Sequence, residues 1–246
     1  MSKTLVLIPS RMSATRLPGK PLLKINNLSI ISHVFKKAQE ANIGEVVVAT
    51  EDQEIFDDVH LNGGRAILTK KNHKTGTDRI YEAFKKLDFK DVDLILNLQG
   101  DEPNININDI SKLNTLMLEN QSNFGTLAAE IKSDLLFDNV DVVKVATKEK
   151  LNEKNFIYAL NFFRNNLLKD YKNVYHHIGI YSYSINALEK FVNFKQTKNE
   201  TENRLEQLRA LDNELHINVA LAETSPIGVD TKEDYLAIKK IMEYKT

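Results

Sequence analysis

The chain has 246 residues, with 33 lysines and arginines against 34 aspartates and glutamates, and it has no cysteine. This charge balance excludes a strong overall field toward nucleic acid or an anionic membrane, so any anion binding must be local. The lack of cysteine excludes disulfides, cysteine nucleophiles and thiolate metal sites. Since no apolar run has the length of a signal peptide or a membrane span, we expect a cytoplasmic protein without membrane insertion.

The N-terminal half alternates short apolar runs with amphipathic segments, which is typical of parallel strands joined by crossover helices. We predict strands at residues 4–8, 45–50, 65–68 and 93–99. Gly63 and Gly64 should end the helix that follows the second of these strands. Ser29 should cap an earlier helix, whose buried face consists of Ile30, Ile31, Val34, Phe35 and Ala38. This pattern predicts a three-layer α/β core.

The C-terminal half has a looser pattern in which strands dominate. We predict a helix at 107–118, strands at 126–131, 142–147, 156–163 and 177–183, a helix at 204–211, a strand at 217–222 and a helix at 232–242. The strand-rich part, roughly residues 124–190, should extend the sheet. No internal repeat or low-complexity linker marks a boundary, so we predict a single domain over residues 1–246.

The loop after the first strand carries three cations. It reads PSRMSATRLPGKPL, contains Arg11, Arg16 and Lys20, and follows a strand that should be central. Open α/β sheets bind ligands at this position, and a stiff loop with fixed cations suits a polyphosphate. The alternative is a solvated basic loop. Neither GxxxxGK[ST] nor GxGxxG is present, which disfavours GTPases and dehydrogenases.

Two carboxylates can bring Mg²⁺ to such phosphates. Asp101 and Glu102 follow the fourth strand in LNLQGDEP, and Asp230 precedes the last helix in PIGVDT. Phosphoryl transfer uses a metal ion to neutralise developing charge. Taken alone, Asp101 could be an ordinary turn residue, and Asp230 could be a helix cap. Together with the basic loop, the pair predicts a metal-assisted triphosphate site.

The segment HKTGTDRI follows the third strand and can line a nucleotide. Thr75, Gly76 and Thr77 offer backbone groups to a base or ribose. Asp78 is predicted to be the N-cap of the next helix, and Arg79 is either a ligand contact or a solvated arginine.

Several polar residues of the C-terminal half favour structural roles when taken alone. His176 and His177 precede an alternating strand and should face opposite sides, so a zinc site is disfavoured and a hydrogen-bonded role is expected. Arg164 suggests a surface ion pair, and Glu206 with Gln207 a solvated helical face.

A resemblance runs through eight segments between Leu5 and about Ile241. They are IPSRMSATRLPGKPL, VVVATED, HKTGTDRI, NLQGDEP, ALNFFR, HHIGIYSY, RLEQLRAL and IGVDTKEDY. In these segments, and in their order, the chain resembles the 3-deoxy-manno-octulosonate (Kdo) cytidylyltransferases. The resemblance implies a nucleotide-diphospho-sugar transferase fold, Rossmann-like, with a mostly parallel central sheet and a strand-rich dimerisation extension. It further implies a homodimer that makes CMP-Kdo and pyrophosphate from CTP and Kdo with Mg²⁺, for lipopolysaccharide synthesis.

The resemblance also implies individual roles. Arg11 and Lys20 match the family's triphosphate-binding pair, with Arg16 in the same loop, and Asp101 and Asp230 match its metal-binding aspartates. The residues that match nucleotide or sugar contacts are Gln99, Arg164, His177, Tyr181, Glu206 and Gln207.

The chain departs from the family in its C-terminal half, where the segment 165–173 is shorter and lacks a proline and a tryptophan that many members carry. Phe163 and Ser184 stand where a hydroxyl residue and an arginine are common. These departures concern sugar specificity and assembly. The alternatives are a cytidylyltransferase for another acidic sugar, such as 8-amino-Kdo or a nonulosonic acid, a transferase for another nucleotide, and a silent member that only binds nucleotide.

Overall fold

The structure is a computed structural model that describes residues 3–13, 16–71, 73–132, 137–164, 171–226 and 228–244. Its internal contacts separate two units. The first comprises Met1–Ser111 with Pro226–Thr246, and the second comprises Lys112–Ser225. Within the described ranges, no helix has both the length and the apolar character needed to cross a membrane.

The first unit alternates strands and helices as the sequence predicts. Its elements are β1 (Thr4–Ser10), a 3₁₀ helix (Lys20–Leu22), β2 (Lys24–Ile25), β3 (Leu28–Ser29), α1 (Ile30–Glu40), β4 (Gly44–Thr50), α2 (Gln53–Leu61), β5 (Ala66–Leu68), α3 (Gly76–Leu87), β6 (Leu94–Asn97) and, at the C-terminal end, α8 (Lys232–Glu243). All four predicted strands are confirmed, with ends shifted by one or two residues.

The sheet of the first unit is parallel, in the order β5–β4–β1–β6. β1 is central, and its residues Leu5–Ile8 are at most 1% exposed. Thr4 pairs with Gly44 of β4 and with Leu94 of β6. The carboxyl ends of β1 and β6 therefore meet at one edge, where the loops after both strands begin.

The first helices form for the predicted local reasons. Ser29 is the N-cap of α1 and its side chain accepts a hydrogen bond from the Ser32 N–H. The predicted apolar face of α1 is buried. Gly63 follows the end of α2 with a φ of 79°, in the left-handed region that glycine tolerates best.

The second unit is rich in strands. Its elements are α4 (Ile107–Glu119, which begins in the first unit), β7 (Phe124–Ala129), β8 (Lys144–Thr147), β9 (Ile157–Phe163), β10 (Val174–Ser184), α5 (Ile185–Asn193), α6 (Lys198–Asn203), α7 (Leu208–Asp212) and β11 (Asn218–Leu221).

The strands of the second unit follow the order β10–β7–β11–β9–β8, and β8 also pairs with β10. The β7–β11 pairing is parallel, whereas β10–β7, β10–β8, β11–β9 and β8–β9 are antiparallel. The fold is thus α/β with a mixed sheet. The prediction of a mostly parallel sheet holds for the first unit and is wrong for the second.

The helix predicted at 204–211 is wrong in its first half. Arg204 has a φ of 53° and ends α6, and a second helix, α7, begins only at Leu208. A capping box of Thr197 and Glu200 starts α6, and the buried Glu200 carboxylate accepts a 2.8 Å hydrogen bond from Arg209 Nε. These contacts fix two short helices in place of one.

Candidate active site

A cavity of about 360 Å³ lies in the first unit at the carboxyl ends of β1 and β6. It gathers side chains and backbone from the basic loop, the start of α3, the turn after β6 and the segment before α8. The predicted residues that line it are Arg11, Arg16, Lys20, Thr75, Gly76, Arg79, Gln99, Asp101 and Asp230. Thr77 is buried in the first turn of α3 and is not among the lining residues.

The basic loop is closed by backbone hydrogen bonds. Gly19 has a φ of 71°, and its N–H donates to the Met12 carbonyl at 3.3 Å. The Met12 N–H in turn donates to the Asp52 carboxylate at 2.7 Å. Because glycine adopts this left-handed conformation without a Cβ clash, the chain can turn back sharply just before Lys20.

The C-terminal helix packs against the same loop. Ile25 of β2 and Ile238 of α8 are fully buried in one apolar cluster, and Leu17 and Leu23 pack against that cluster. The Tyr235 hydroxyl of α8 donates to the Lys24 carbonyl at 2.7 Å. The last helix thus contacts both the basic loop and the β2–β3 hairpin.

Asp230 is positioned by the start of α8. The N-cap of α8 is Thr231, in a capping box with Asp234, so the alternative that Asp230 is the cap is wrong. The Asp234 carboxylate also accepts from the Asp230 N–H at 3.1 Å. The Val229 N–H donates to the Asp101 carbonyl at 2.9 Å. This bond holds the two aspartate-bearing segments side by side.

Lys20 connects the two aspartates. Its Nζ lies 2.7 Å from Asp101 Oδ2 and 3.2 Å from Asp230 Oδ1. Arg16 Nη2 lies 2.8 Å from Asp230 Oδ2. Burial alone would lower the pKa of Lys20, but the charges and hydrogen bonds of Asp101 and Asp230 outweigh burial and raise it. The ammonium therefore stays charged at neutral pH.

Glu102 adds a third carboxyl group beside these two. Its Oε2 is buried and has no hydrogen-bond partner among the residues that the structure describes. Burial first, and then the charges of Asp101 and Asp230, raise the pKa of Glu102 to about 8. Glu102 is accordingly protonated at neutral pH, whereas Asp101 and Asp230 are paired with the cations Lys20 and Arg16.

The start of α3 differs from its prediction in one respect. Thr75 is the N-cap, and its side chain accepts from the Asp78 N–H. The prediction that Asp78 caps this helix is therefore wrong, because Thr75 already occupies that position. An added Cβ on Gly76 would lie 3.2 Å from Pro9 Cγ, so the small residue lets α3 start close to the end of β1.

Arg79 is not a solvated arginine. It is 3% exposed, its Nη2 lies 2.7 Å from Glu51 Oε2, and its Nη1 donates to Thr69 Oγ1 at 2.8 Å. The guanidinium thus ties α3 to the segments after β4 and β5, at the wall of the cavity.

The sequence interpretation missed His73, which also lines the cavity. His73 Nε2 hydrogen-bonds to Glu82 on α3. The Glu82 carboxylate also accepts from the Lys70 N–H at 3.2 Å and lies 2.7 Å from Lys86 Nζ. Burial would raise the pKa of Glu82, but the hydrogen bonds from Lys86, His73 and Lys70 outweigh it and lower the pKa to about 2. Glu82 therefore anchors the segment that leads into Thr75.

The remaining predicted residues lie in the second unit, where His177 and Tyr181 are in ring contact, with centroids 5.5 Å apart. His177 Nε2 lies 3.0 Å from Thr126 Oγ1, which lies 2.7 Å from the Ile180 carbonyl. Since the hydroxyl has one proton to donate to that carbonyl, it accepts from an Nε2–H of His177. Burial, and then His176, lower the pKa of His177 to about 3. The ring is neutral, as the expected structural role requires.

Arg164 and the pair Glu206–Gln207 have separate surroundings. Arg164 Nη1 donates to the Asp141 carbonyl at 2.8 Å, which is a backbone contact. An ion pair of Arg164 with Asp134 or Asp170 lies outside the described residues. Glu206 and Gln207 lie between α6 and α7, and Gln207 is only 5% exposed. The solvated helical face expected for them is therefore wrong. Residues 165–170 of the divergent segment lie outside the described residues.

Comparison with known sequences gives consistent matches over nearly the whole chain. A family model described as Cytidylyltransferase matches residues 5–217. The 3-deoxy-manno-octulosonate cytidylyltransferase of Nitrobacter winogradskyi is 40% identical over 242 residues, covering 98% of this chain and 94% of its own length. The protein of the same name from Bradyrhizobium sp. is 42% identical over 241 residues, covering 98% and 97%.

Solved structures agree with these matches. A CMP:2-keto-3-deoxy-manno-octonic acid synthetase complexed with CTP is 32% identical, with a TM-score of 0.89 and full coverage of both chains. A UDP-glucose pyrophosphorylase complexed with UDP-glucose has a TM-score of 0.73 at 14% identity, again over 100% of both chains. The second likeness concerns the fold alone.

Proposed function

Because the chain belongs to the cytidylyltransferase family, and within it to the 3-deoxy-manno-octulosonate cytidylyltransferases, we propose that it transfers CMP from CTP to Kdo. The products are CMP-Kdo, for lipopolysaccharide synthesis, and pyrophosphate. The observation that carries the proposal is the cavity of the first unit, where Arg11, Arg16 and Lys20 lie with Asp101 and Asp230. This set of charges suits a metal-bound triphosphate.

The reaction is an in-line displacement at the α-phosphorus of CTP. The anomeric hydroxyl oxygen of Kdo forms the new P–O bond, the bond to the β-phosphate breaks, and pyrophosphate leaves with that electron pair while the hydroxyl proton passes to solvent. Positioning and charge neutralisation supply most of the catalysis in such transfers. Arg11, Arg16 and Lys20 are the cations placed to stabilise the departing pyrophosphate.

We assign the nucleoside to the other wall of the cavity. Thr75 and Gly76 present the first backbone groups of α3 there, and Gln99 lies at the end of β6. Thr77 and Arg79 support this wall from inside, since both are buried.

The site residues fit Mg²⁺. Among the described residues, no group of three or more His, Cys, Asp or Glu side chains suits a metal, but Mg²⁺ is commonly held by one or two carboxylates together with water and substrate phosphates. Asp101 and Asp230 already share one cation, Lys20, and the buried Glu102 oxygen beside them has no partner among the described residues. We propose that Asp101 and Asp230 hold the ion, which when bound would neutralise the triphosphate and acidify the attacking hydroxyl.

We assign the sugar to residues of the second unit. The neutral His177 ring is in contact with Tyr181. With its Nε2–H donated to Thr126, the ring offers Nδ1 as an acceptor to a sugar hydroxyl, and the Arg164 guanidinium offers a cation to the sugar carboxylate. The half-buried Glu206 and the buried Gln207 complete the proposed pocket.

We also propose that the chain is a single nucleotidyltransferase domain of a cytoplasmic homodimer, with the strand-rich part near 124–190 as its dimerisation extension. Tyr158 and Leu160 support this, because these large apolar side chains of β9 are 48% and 50% exposed.

A pyrophosphate-release assay tests the proposed function. The protein with Mg²⁺ should release pyrophosphate with CTP and Kdo, and much more slowly with ATP, GTP or UTP. The sugar panel should include 8-amino-Kdo and a nonulosonic acid. Turnover with one of these sugars and not with Kdo would replace Kdo as the assigned substrate. Nucleotide binding without turnover on any sugar would contradict the assignment as an enzyme.

A further inference from the structure

Lys20 contacts the same carboxylates that we assign to the metal. Its Nζ lies 2.7 Å from Asp101 Oδ2 and 3.2 Å from Asp230 Oδ1, and its side chain is 12% exposed. Ion pairs of this kind are stronger than hydrogen bonds between neutral groups and are poorly screened when shielded from water. The ammonium therefore satisfies oxygen atoms that a divalent cation would also require.

Arg16 is a weaker competitor for the same place. Its Nη2 lies 2.8 Å from Asp230 Oδ2, but the two side chains are 55% and 48% exposed. Exposed ion pairs contribute little because solvent and salt screen them. Lys20 is thus the main protein cation on the two aspartates.

We propose that Lys20 is a stand-in cation, which neutralises Asp101 and Asp230 in the free enzyme and moves to the triphosphate when a divalent cation replaces it. This inference rests on the proposed function and adds to it a coupling between metal binding and nucleotide binding. A divalent cation that binds alone must break both ion pairs and leave a shielded ammonium without a counter-charge, which is costly.

A triphosphate removes that obstacle. It offers the displaced ammonium a new anionic partner, so each ligand should raise the affinity for the other, and linkage requires the two effects to be equal. The inference therefore predicts opposite consequences of losing the Lys20 charge. Binding of the metal alone becomes stronger, while binding of CTP alone becomes weaker.

The test is Mn²⁺ binding without nucleotide, measured by the electron paramagnetic resonance signal of free Mn²⁺. We expect Lys20→Met to bind Mn²⁺ about tenfold more tightly than the wild type, a factor that corresponds to 1.4 kcal/mol. Lys24→Met removes the same charge from an exposed position on β2. Arg11→Met removes a cation that lines the same cavity. Both controls should remain within about twofold of the wild type, because neither competes directly for the aspartates.

The predicted loss of CTP affinity is tested by calorimetry of CTP binding in the presence of EDTA. Lys20→Met should bind CTP several-fold more weakly than the wild type. Equal or weaker Mn²⁺ binding by Lys20→Met overturns the inference, as does an equal gain in Arg11→Met, which would show a general field effect. Should Lys20→Met fail to melt cooperatively, Lys20→Gln takes its place.

The proposed function and the stand-in role of Lys20 can be refuted independently. Wild-type turnover of CTP and Kdo together with unchanged Mn²⁺ binding by the variant would reject only the stand-in role. Absence of turnover on any sugar would reject the proposed function, whereas the binding comparison needs no turnover.

Discussion

Replacing Asp234 with alanine should loosen Asp230 without substituting any residue that lines the cavity. The Asp234 carboxylate accepts from the Asp230 N–H at 3.1 Å, the Thr231 N–H at 2.8 Å and the Thr231 hydroxyl at 2.9 Å. Loss of such a cap costs about 1–2 kcal/mol. For a chain of this length that lowers the Tm by about 2–8 °C.

The functional effect should appear in the metal requirement. With Asp230 less firmly held, the Mg²⁺ concentration for half-maximal turnover at saturating CTP and Kdo should rise about tenfold, the size of effect typical of residues that orient metal ligands. Glu233→Ala is the matched control, because Glu233 is an exposed carboxylate in the same turn of α8. It should leave the Mg²⁺ requirement unchanged.

Thermal melting and Mg²⁺ titration together decide the matter. A lower Tm with an unchanged Mg²⁺ requirement in Asp234→Ala would show that the cap only stabilises α8, and would refute its role in positioning Asp230. An equal change in Glu233→Ala would attribute the effect to the charge of the helix start.

Three further substitutions test other parts of the structure. Asp101→Asn should abolish pyrophosphate release with an unchanged circular dichroism spectrum; substantial activity would contradict the metal assignment. Glu82→Ala should raise the KM for CTP several-fold and leave the KM for Kdo unchanged in steady-state kinetics, because His73 and Lys70 lose their anchor; equal changes in both would contradict a local role. His177 has a pKa of about 3 when folded and 6.5 ordinarily, so the unfolded chain takes up its proton first. As pH falls from 6.5 toward 3, this histidine should remove about 1.4 kcal/mol of stability per pH unit. The free energy of unfolding in urea, measured at pH 7 and at pH 5, should therefore fall less for His177→Gln than for the wild type. An equal fall in both proteins would refute the buried neutral ring.

The elements that the sequence predicted best are those with local causes. The central residues of β1 (Leu5–Ile8) and β6 (Leu94–Leu96) are apolar because they are buried on both faces of the sheet. Ser29 caps α1 through a bond to a residue only three positions away. Asp78 and Thr75 are both acceptable caps, so the pattern alone does not rank them. The break at Arg204 depends on Glu200 reaching Arg209, a tertiary contact that outweighs helical propensity.

The same distinction applies to the site. Arg11 and Asp101 follow strands, so their meeting at one sheet edge was predictable once the strands were parallel. Asp230 joins them through the bond between Val229 and the Asp101 carbonyl, which links distant parts of the chain and has no local signature. The anchoring of His73 by Glu82 was missed because it joins a loop to the second turn of a helix.

The charges of the cavity explain how it can be stable without ligands and still bind a highly charged one. Glu102 is neutral at pH 7, so among the residues that line the cavity Asp101 and Asp230 stand against the cations Arg11, Arg16, Lys20, Lys74 and Arg79, which leaves an excess of positive charge. Lys20 and Arg16 already have partners before substrate arrives. Binding of a metal-bound triphosphate then exchanges one set of ion pairs for another. For Lys20, whose side chain is only 12% exposed, most of the desolvation has already occurred on folding. For this reason the affinity for the metal-bound triphosphate should depend more on which anionic groups each cation can contact than on the number of charges in the cavity.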